Sequence, residues 1–140
     1  MAIGSPHLMA NGDIRPARFV EIQNASGIAK AIEANANERV IGISHDGTNT
    51  APIPGVTSDK AAESGQGLQL HVEGEECLLE LGGTVTAGAF VKSDGDGKGV
   101  IALTTGTVLQ EIGAVALDNG ASGEKIRVKI QIHRHRPAIA

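Results

Sequence analysis

Apolar and polar residues alternate most regularly near the C-terminal end. In "EKIRVKIQIH" (124–133), Ile126, Val128, Ile130 and Ile132 are separated by charged or polar residues. A period of two puts the four on one face of a strand. "GLQLHV" (67–72) repeats the pattern with Leu68, Leu70 and Val72. Gly74 then breaks it, and "GLQLHVEGEECLLEL" (67–81) reads as a strand pair or one long bent strand. Shorter apolar runs occur at "RFVEI" (18–22), "ERVIGIS" (38–44), "TVTAGAFVKS" (84–93), "KGVIALT" (98–104) and "LQEIGAVAL" (109–117). Turn formers such as "NASG", "HDGTN", "SDGDG" and "DNGASG" separate these runs. Short strands punctuated in this way predict a mainly β fold, a compact barrel or a two-sheet domain.

Two segments depart from the pattern. "SDKAAES" (58–64) predicts one short helix, with Ser58 as N-cap, Asp59 at the positive end and Gly65 as terminator. "IAKAIEA" (28–34) has helix-favouring Ala, Lys and Glu. An internal echo decides for strand. "RVIGISHDG" resembles "QEIGAVALDNG", with Gly42 on Gly113 and Asp46 on Asp118, and Gly27-Ile-Ala lines up with Gly99-Val-Ile. The counterpart of "IAKAI" is then the β-rich "VIALT". The echo predicts two related β units, at about 27–81 and 84–133, inside one domain spanning 18–140. Residues 1–17 show no periodicity and carry Pro6 and Pro16, so they predict an extended N-terminal arm.

Composition narrows what such a fold can do. The 140 residues include no Trp, no Tyr and two Phe, so aliphatic side chains must fill the core. Net charge is −4, which argues against nucleic acid as a partner. No apolar run approaches the roughly 18 residues of a membrane span. "MAIGSPHLMANG" lacks the basic and apolar regions of a secretion signal. One cysteine, Cys77, permits no intrachain disulfide, as expected of a protein made in a reducing cytoplasm.

The candidate chemistry is sparse. "SDGDGKG" (93–99) resembles the start of a calcium loop, but Lys98 stands at its fifth position and Thr105 at its twelfth, where oxygen ligands belong. The Asp-Gly pairs fit the turn of a β-hairpin. Cys77 has His71 six positions away, about 20 Å along an unbroken strand, and reads as a small hydrophobe. "IHRHRP" (132–137) puts His133 and His135 on one face with no third metal ligand in sight, and reads as a solvated basic end. Glu73, Glu75 and Glu76 read as an exposed edge or bulge. No catalytic site, metal site or cofactor site is expected.

The segments "NGDIRPARFVEI", "RVIGISHDGT", "GEECLLELGGTVTAGAFVKSDGDGKGV" and "SGEKIRVKI" resemble, in this order, those of the capsid decoration (cement) proteins of tailed bacteriophages. The likeness runs over about residues 11–130, and "CLLELGGTVTAG…VKSDGDGKG" carries it best. It implies a β-rich structural protein, not an enzyme, on the outer surface of the head shell. Its partners would be the major capsid protein and further copies of itself, as a homotrimer formed in solution or only on the capsid. The arm would dock on the shell, with Leu8, Met9 and Ile14 as apolar anchors and Arg15 and Arg18 facing acidic groups. Alternatives are a virion-displayed β-module for carbohydrate or a host surface, or a minor head-completion or tail protein.

Overall fold

The computed structural model describes residues 7–47, 60–103 and 108–135. They form ten strands: β1 (His7–Met9), β2 (Phe19–Ala25), β3 (Ile28–Glu33), β4 (Gly42–Ser44), β5 (Gly67–His71), β6 (Glu76–Glu80), β7 (Phe90–Ser93), β8 (Gly99–Ile101), β9 (Gln110–Ala116) and β10 (Lys125–His135). The period-two segments behave as expected. In β10, Ile126, Val128 and Ile130 point inward while Lys125, Arg127 and Lys129 face solvent. "IAKAI" is strand, held on β2 from Val20–Glu33 to Ala25–Ile28.

Every strand pairs antiparallel within one of two five-stranded sheets. The first has the order β1-β5-β4-β2-β3, the second β6-β10-β9-β7-β8. These are the same order displaced by five strands. Each sheet curls until its edge strands meet in one parallel bridge, Ala10 to Ala31 in the first and Leu81 to Gly99 in the second. The barrel-or-sheets alternative thus resolves as two curled sheets.

Several hydrogen bonds recur at equivalent places in the two units. Gly65 N donates to Ala10 O at 2.8 Å, and Gly123 N to Leu81 O at 2.8 Å. Both glycines have φ of +88°, a left-handed turn that disfavours a side chain. The Gln66 side chain accepts from Glu63 N, and that of Glu124 from Ala121 N. Ile14 bridges Ala62, and Val85 bridges Gly120. Phe19 lies opposite Ile43, and Phe90 opposite Val115. The echo therefore marks a structural repeat, but its boundaries shift. The first unit spans 7–71, because β1 and β2 complete its sheet, and the second spans 76–135, because β6 belongs with β10. The counterpart of Gly99 is Ala31, not Gly27, since the β2–β3 hairpin is the longer of the two, and the counterpart of Gly42 is Ala114, not Gly113, since Gly42 pairs with Val20 as Ala114 pairs with Val91.

Three other expectations are corrected. The predicted arm is largely part of the first unit: β1 pairs with β5, and Ala10, Ile14 and Ala17 are buried. Ordering 7–17 buries those apolar side chains, which an extended arm would leave in water. Residues 1–6 lie outside the described residues. No helix forms among the described residues near Gly65. Ile14 exchanges backbone bonds with Ala62 in both directions, and Ala61 N also donates to Ile14 O, so these groups serve a bridge instead of a helical turn. Ser58 and Asp59 lie outside the described residues. Finally, "GLQLHVEGEECLLEL" is two strands of different sheets, separated at Gly74 with φ of +91°.

Two apolar clusters fill the units. Ala10, Ile14, Val20, Ala31, Leu68 and Leu70 line the first sheet. Their equivalents Leu81, Val85, Val91, Ile126 and Val128 line the second. Phe19, Ala34, Val40 and Ile43 come from the first unit but belong to the second cluster, so the core continues across the joint.

Candidate functional site

That joint is where polar chemistry and close packing concentrate. It begins at Ala17–Phe19, the entry to β2. Phe19 N donates to Gly97 O at 2.7 Å, and Glu80 N donates to Ala17 O at 2.9 Å. Arg18 lies between them, 5% exposed. Its Nη2 donates to Glu80 Oε2 at 3.0 Å and its Nη1 to Asp96 O at 2.9 Å. Lys98 Nζ stands 3.5 Å from the same Glu80 oxygen. Arg18 Nε has no partner among the described residues. A second contact lies beside the first: Asn37 N donates to Ser93 O, and Ser93 Oγ to Ala34 O. Asn37 also bridges to Leu109 O and Glu111 N.

The "SDGDGKG" segment is the β7–β8 hairpin turn, as expected. Asp94 Oδ1 accepts from Asp96 N at 2.8 Å and Lys98 N at 2.9 Å. These bonds hold the turn from within and aim the carbonyls of Asp96 and Gly97 at the first unit. The turn is thus a socket as well as a chain reversal. Gly97 has φ of +76° and lies against the Phe19 carbonyl, so a side chain would obstruct the joint. Gly113 has a similar role: a Cβ there would lie 2.5 Å from a Phe19 ring carbon and 2.8 Å from Val40.

The five residues expected to bind capsid separate into two groups. Ile14 is fully buried in the first sheet, and Arg18 is inside the joint. Neither is available to another molecule in this fold. Burying Ile14 gains about 1.5–3 kcal/mol, which a surface anchor would forgo. Leu8 is half-buried against the first cluster. Met9 is exposed. Arg15 is partly exposed and forms a fork with Glu33, Nε to Oε2 at 3.0 Å and Nη2 to Oε1 at 2.9 Å. That hydrogen bonding raises the guanidinium pKa further above its ordinary value, against a smaller opposing effect of burial.

The other candidates are structural where they are described. Burial, then the Glu75 charge, pushes the Cys77 thiol up to about 12. At neutral pH the group is a thiol, and the thiolate is the nucleophilic form. His71 stacks on His45 at 5.7 Å and lies 3.7 Å from Glu75. Glu73 and Glu75 reach the bulge in β10: Ile132 N donates to Glu73 Oε1, and Ile130 N to Glu75 O. His133 and His135 share a face and meet the edge of Phe90 at 4.9 and 5.5 Å, while Arg134 pairs with Glu111. Arg136 lies outside the described residues.

Sequence reasoning missed Arg18 as a joint residue, along with Glu80, Ser93 and Phe19. The echo was the available signal: aligned unit on unit, it sets Arg18 over Ala89, Glu80 over Met9 and Ser93 over Ile22.

These features define an all-β protein made of two repeated, curled five-stranded units. No family model and no curated protein matches the chain. Among solved structures, the fold is similar to the N base of the head fibre protein gp8.5 of bacteriophage phi29, with a TM-score of 0.62 and 12% identity. The match covers 91% of this chain and 92% of the other.

Proposed function

We propose that this chain is a structural protein of a tailed-phage head, carried on the outside of the shell as a decoration or cement protein. The likeness to the phi29 head-fibre base carries the reading, since it extends over nearly all of both chains. The "CLLELGGTVTAG…VKSDGDGKG" resemblance to head decoration proteins points the same way.

The physics suits the role. Packed DNA pushes the shell outward, and a clamp bridging neighbouring capsid subunits opposes their separation. Such a clamp needs rigidity, not a reaction. Here two sheets share a continuous core, and the buried Arg18 ties them together. As a homotrimer it would hold the shell at three points, and each would rebind at high effective concentration when another lets go. Because Ile14 and Arg18 are buried, the candidate shell contacts are residues 1–6 together with the exposed Met9 and the partly exposed Arg15.

The test is add-back to heads assembled without this protein. Saturable binding to sites spread over the shell, with slower head disruption on heating, is the expected result. Failure to bind intact heads overturns the reading. Binding confined to one vertex would make the chain a head-completion or tail component. A chain beginning at His7 keeps every described strand, so loss of its binding alone would assign docking to residues 1–6.

A further inference from the structure

The joint between the units brings together unlike surfaces. The first unit contributes the Arg18–Phe19 face, and the second contributes Glu80, Ser93 and the 94–98 turn. The units repeat strand for strand, so each has both kinds of surface, except that the longer β2–β3 hairpin stands in the first unit where the 94–98 turn stands in the second. One of each is therefore left unused. On the second unit, the counterpart of the Arg18–Phe19 face is Ala89–Phe90. On the first unit, the counterparts of Glu80 and Ser93 are Met9 and Ile22.

Both unused faces expose apolar side chains. Phe19 is fully buried, but Phe90 is 36% exposed, and Leu103 and Leu109 of the adjoining connection are also exposed. Ser93 is 1% exposed, whereas Ile22 is 49% and Met9 48%. Residues facing each other across the joint also change as pairs. Arg18 meets Glu80 within the chain; their counterparts are Ala89 and Met9. A charged pair at the joint thus corresponds to apolar residues at the equivalent positions. Exchanging one partner would leave Arg18 against Met9, or Glu80 against Ala89, with a buried charge unpaired.

We infer that the Phe90 face of one chain docks on the Met9–Ile22 face of a second copy, repeating between chains the joint within each chain. This contact is heterologous, so it closes into a ring or runs on as a filament. It rests on the homotrimer reading above, in which three copies close the ring. Met9 is then a chain–chain residue, not a capsid anchor.

Sedimentation velocity on the full chain tests this with Phe90→Glu and Met9→Glu, each checked for native circular dichroism. Wild type is expected to assemble, and each variant to weaken assembly more than about tenfold. The two variants mixed retain one good face each, so they should form a dimer of twice 14.3 kDa that grows no further. If either glutamate disturbs folding, Phe90→Ser and Ile22→Glu replace them. Assembly unaffected by these substitutions overturns the inference and leaves the trimer reading standing. A mixture that stays monomeric also overturns it, because a head-to-tail contact requires the dimer. Wild type that remains monomeric up to about 1 mM overturns the inference and confines the trimer reading to copies assembled on the capsid.

Discussion

Removing the Arg18 side chain should uncouple the two units, and its cost follows from what remains behind. Taking one partner from a buried ion pair typically costs about 3–5 kcal/mol. Glu80 is 22% exposed and keeps Lys98 at 3.5 Å, so its charge is partly compensated after Arg18→Ala. The Asp96 carbonyl loses its donor. We therefore expect about 2–3 kcal/mol of destabilisation. Glu80→Met should cost more, about 3–4 kcal/mol, because it leaves Arg18 buried with only the Asp96 carbonyl. The double variant places at the joint the residues found at the equivalent positions, Ala89 and Met9. Its total cost should be about 3–4 kcal/mol, a coupling of about 2–3 kcal/mol between the two sites. The chain has no Trp or Tyr, so far-UV circular dichroism in urea at fixed ionic strength follows the transition. Single costs that add to within about 0.5 kcal/mol would refute the coupling and the role of Arg18 as a bolt.

Three further outcomes are expected. Gly113→Ala should destabilise by about 1–3 kcal/mol, since its methyl meets the Phe19 ring, and Phe19→Leu in the same chain should recover part of the loss in urea titrations. The hydrogen bond from Arg127 holds the Asp118 carboxyl below its ordinary range. The stability this contributes is present above about pH 4 and is lost as pH falls through the folded-state value; an NMR titration of Arg127→Met should move the Asp118 midpoint upward. Cys77 should react with iodoacetamide at pH 8 at least about a hundredfold more slowly than an unfolded control, because burial pushes its thiol up to about 12. The folded chain keeps that proton when the unfolded chain releases it, so native stability should decline as pH rises above about 9.

Strand identity was legible wherever burial follows a period of two, as in Ile126, Val128 and Ile130. The hairpin nature of "SDGDGKG" was legible because Asp-Gly pairs favour turns. Ile14 and the rest of 7–17 were not, since their pairing partners lie far away, Ala62 for Ile14 and Leu68 for Leu8. Local propensity contains no record of a bridge across some fifty residues. The same limit explains the missing helix: Ala61 and Ala62 would suit one, but Ile14 takes their backbone bonds. Arg18 looked like a surface cation because no local signal distinguishes an arginine that meets water from one that meets Glu80 across the fold.

The two phenylalanines connect composition to assembly. A chain with no Trp or Tyr has two aromatic rings of large area, and they stand at equivalent places in the repeat. Phe19 supports the joint, where Gly113 leaves room for its ring and the Gly97 carbonyl takes its N–H. Among the described residues Phe90 has neither, although its strand is built in the same way. It meets the edges of His133 and His135 and leaves about a third of its surface exposed. An aromatic ring contributes little to stability while it stays in water, and exposed apolar area of this kind marks contact surfaces. The second ring is therefore the one left for the chain–chain contact inferred above, against the exposed Met9 and Ile22 of a second copy.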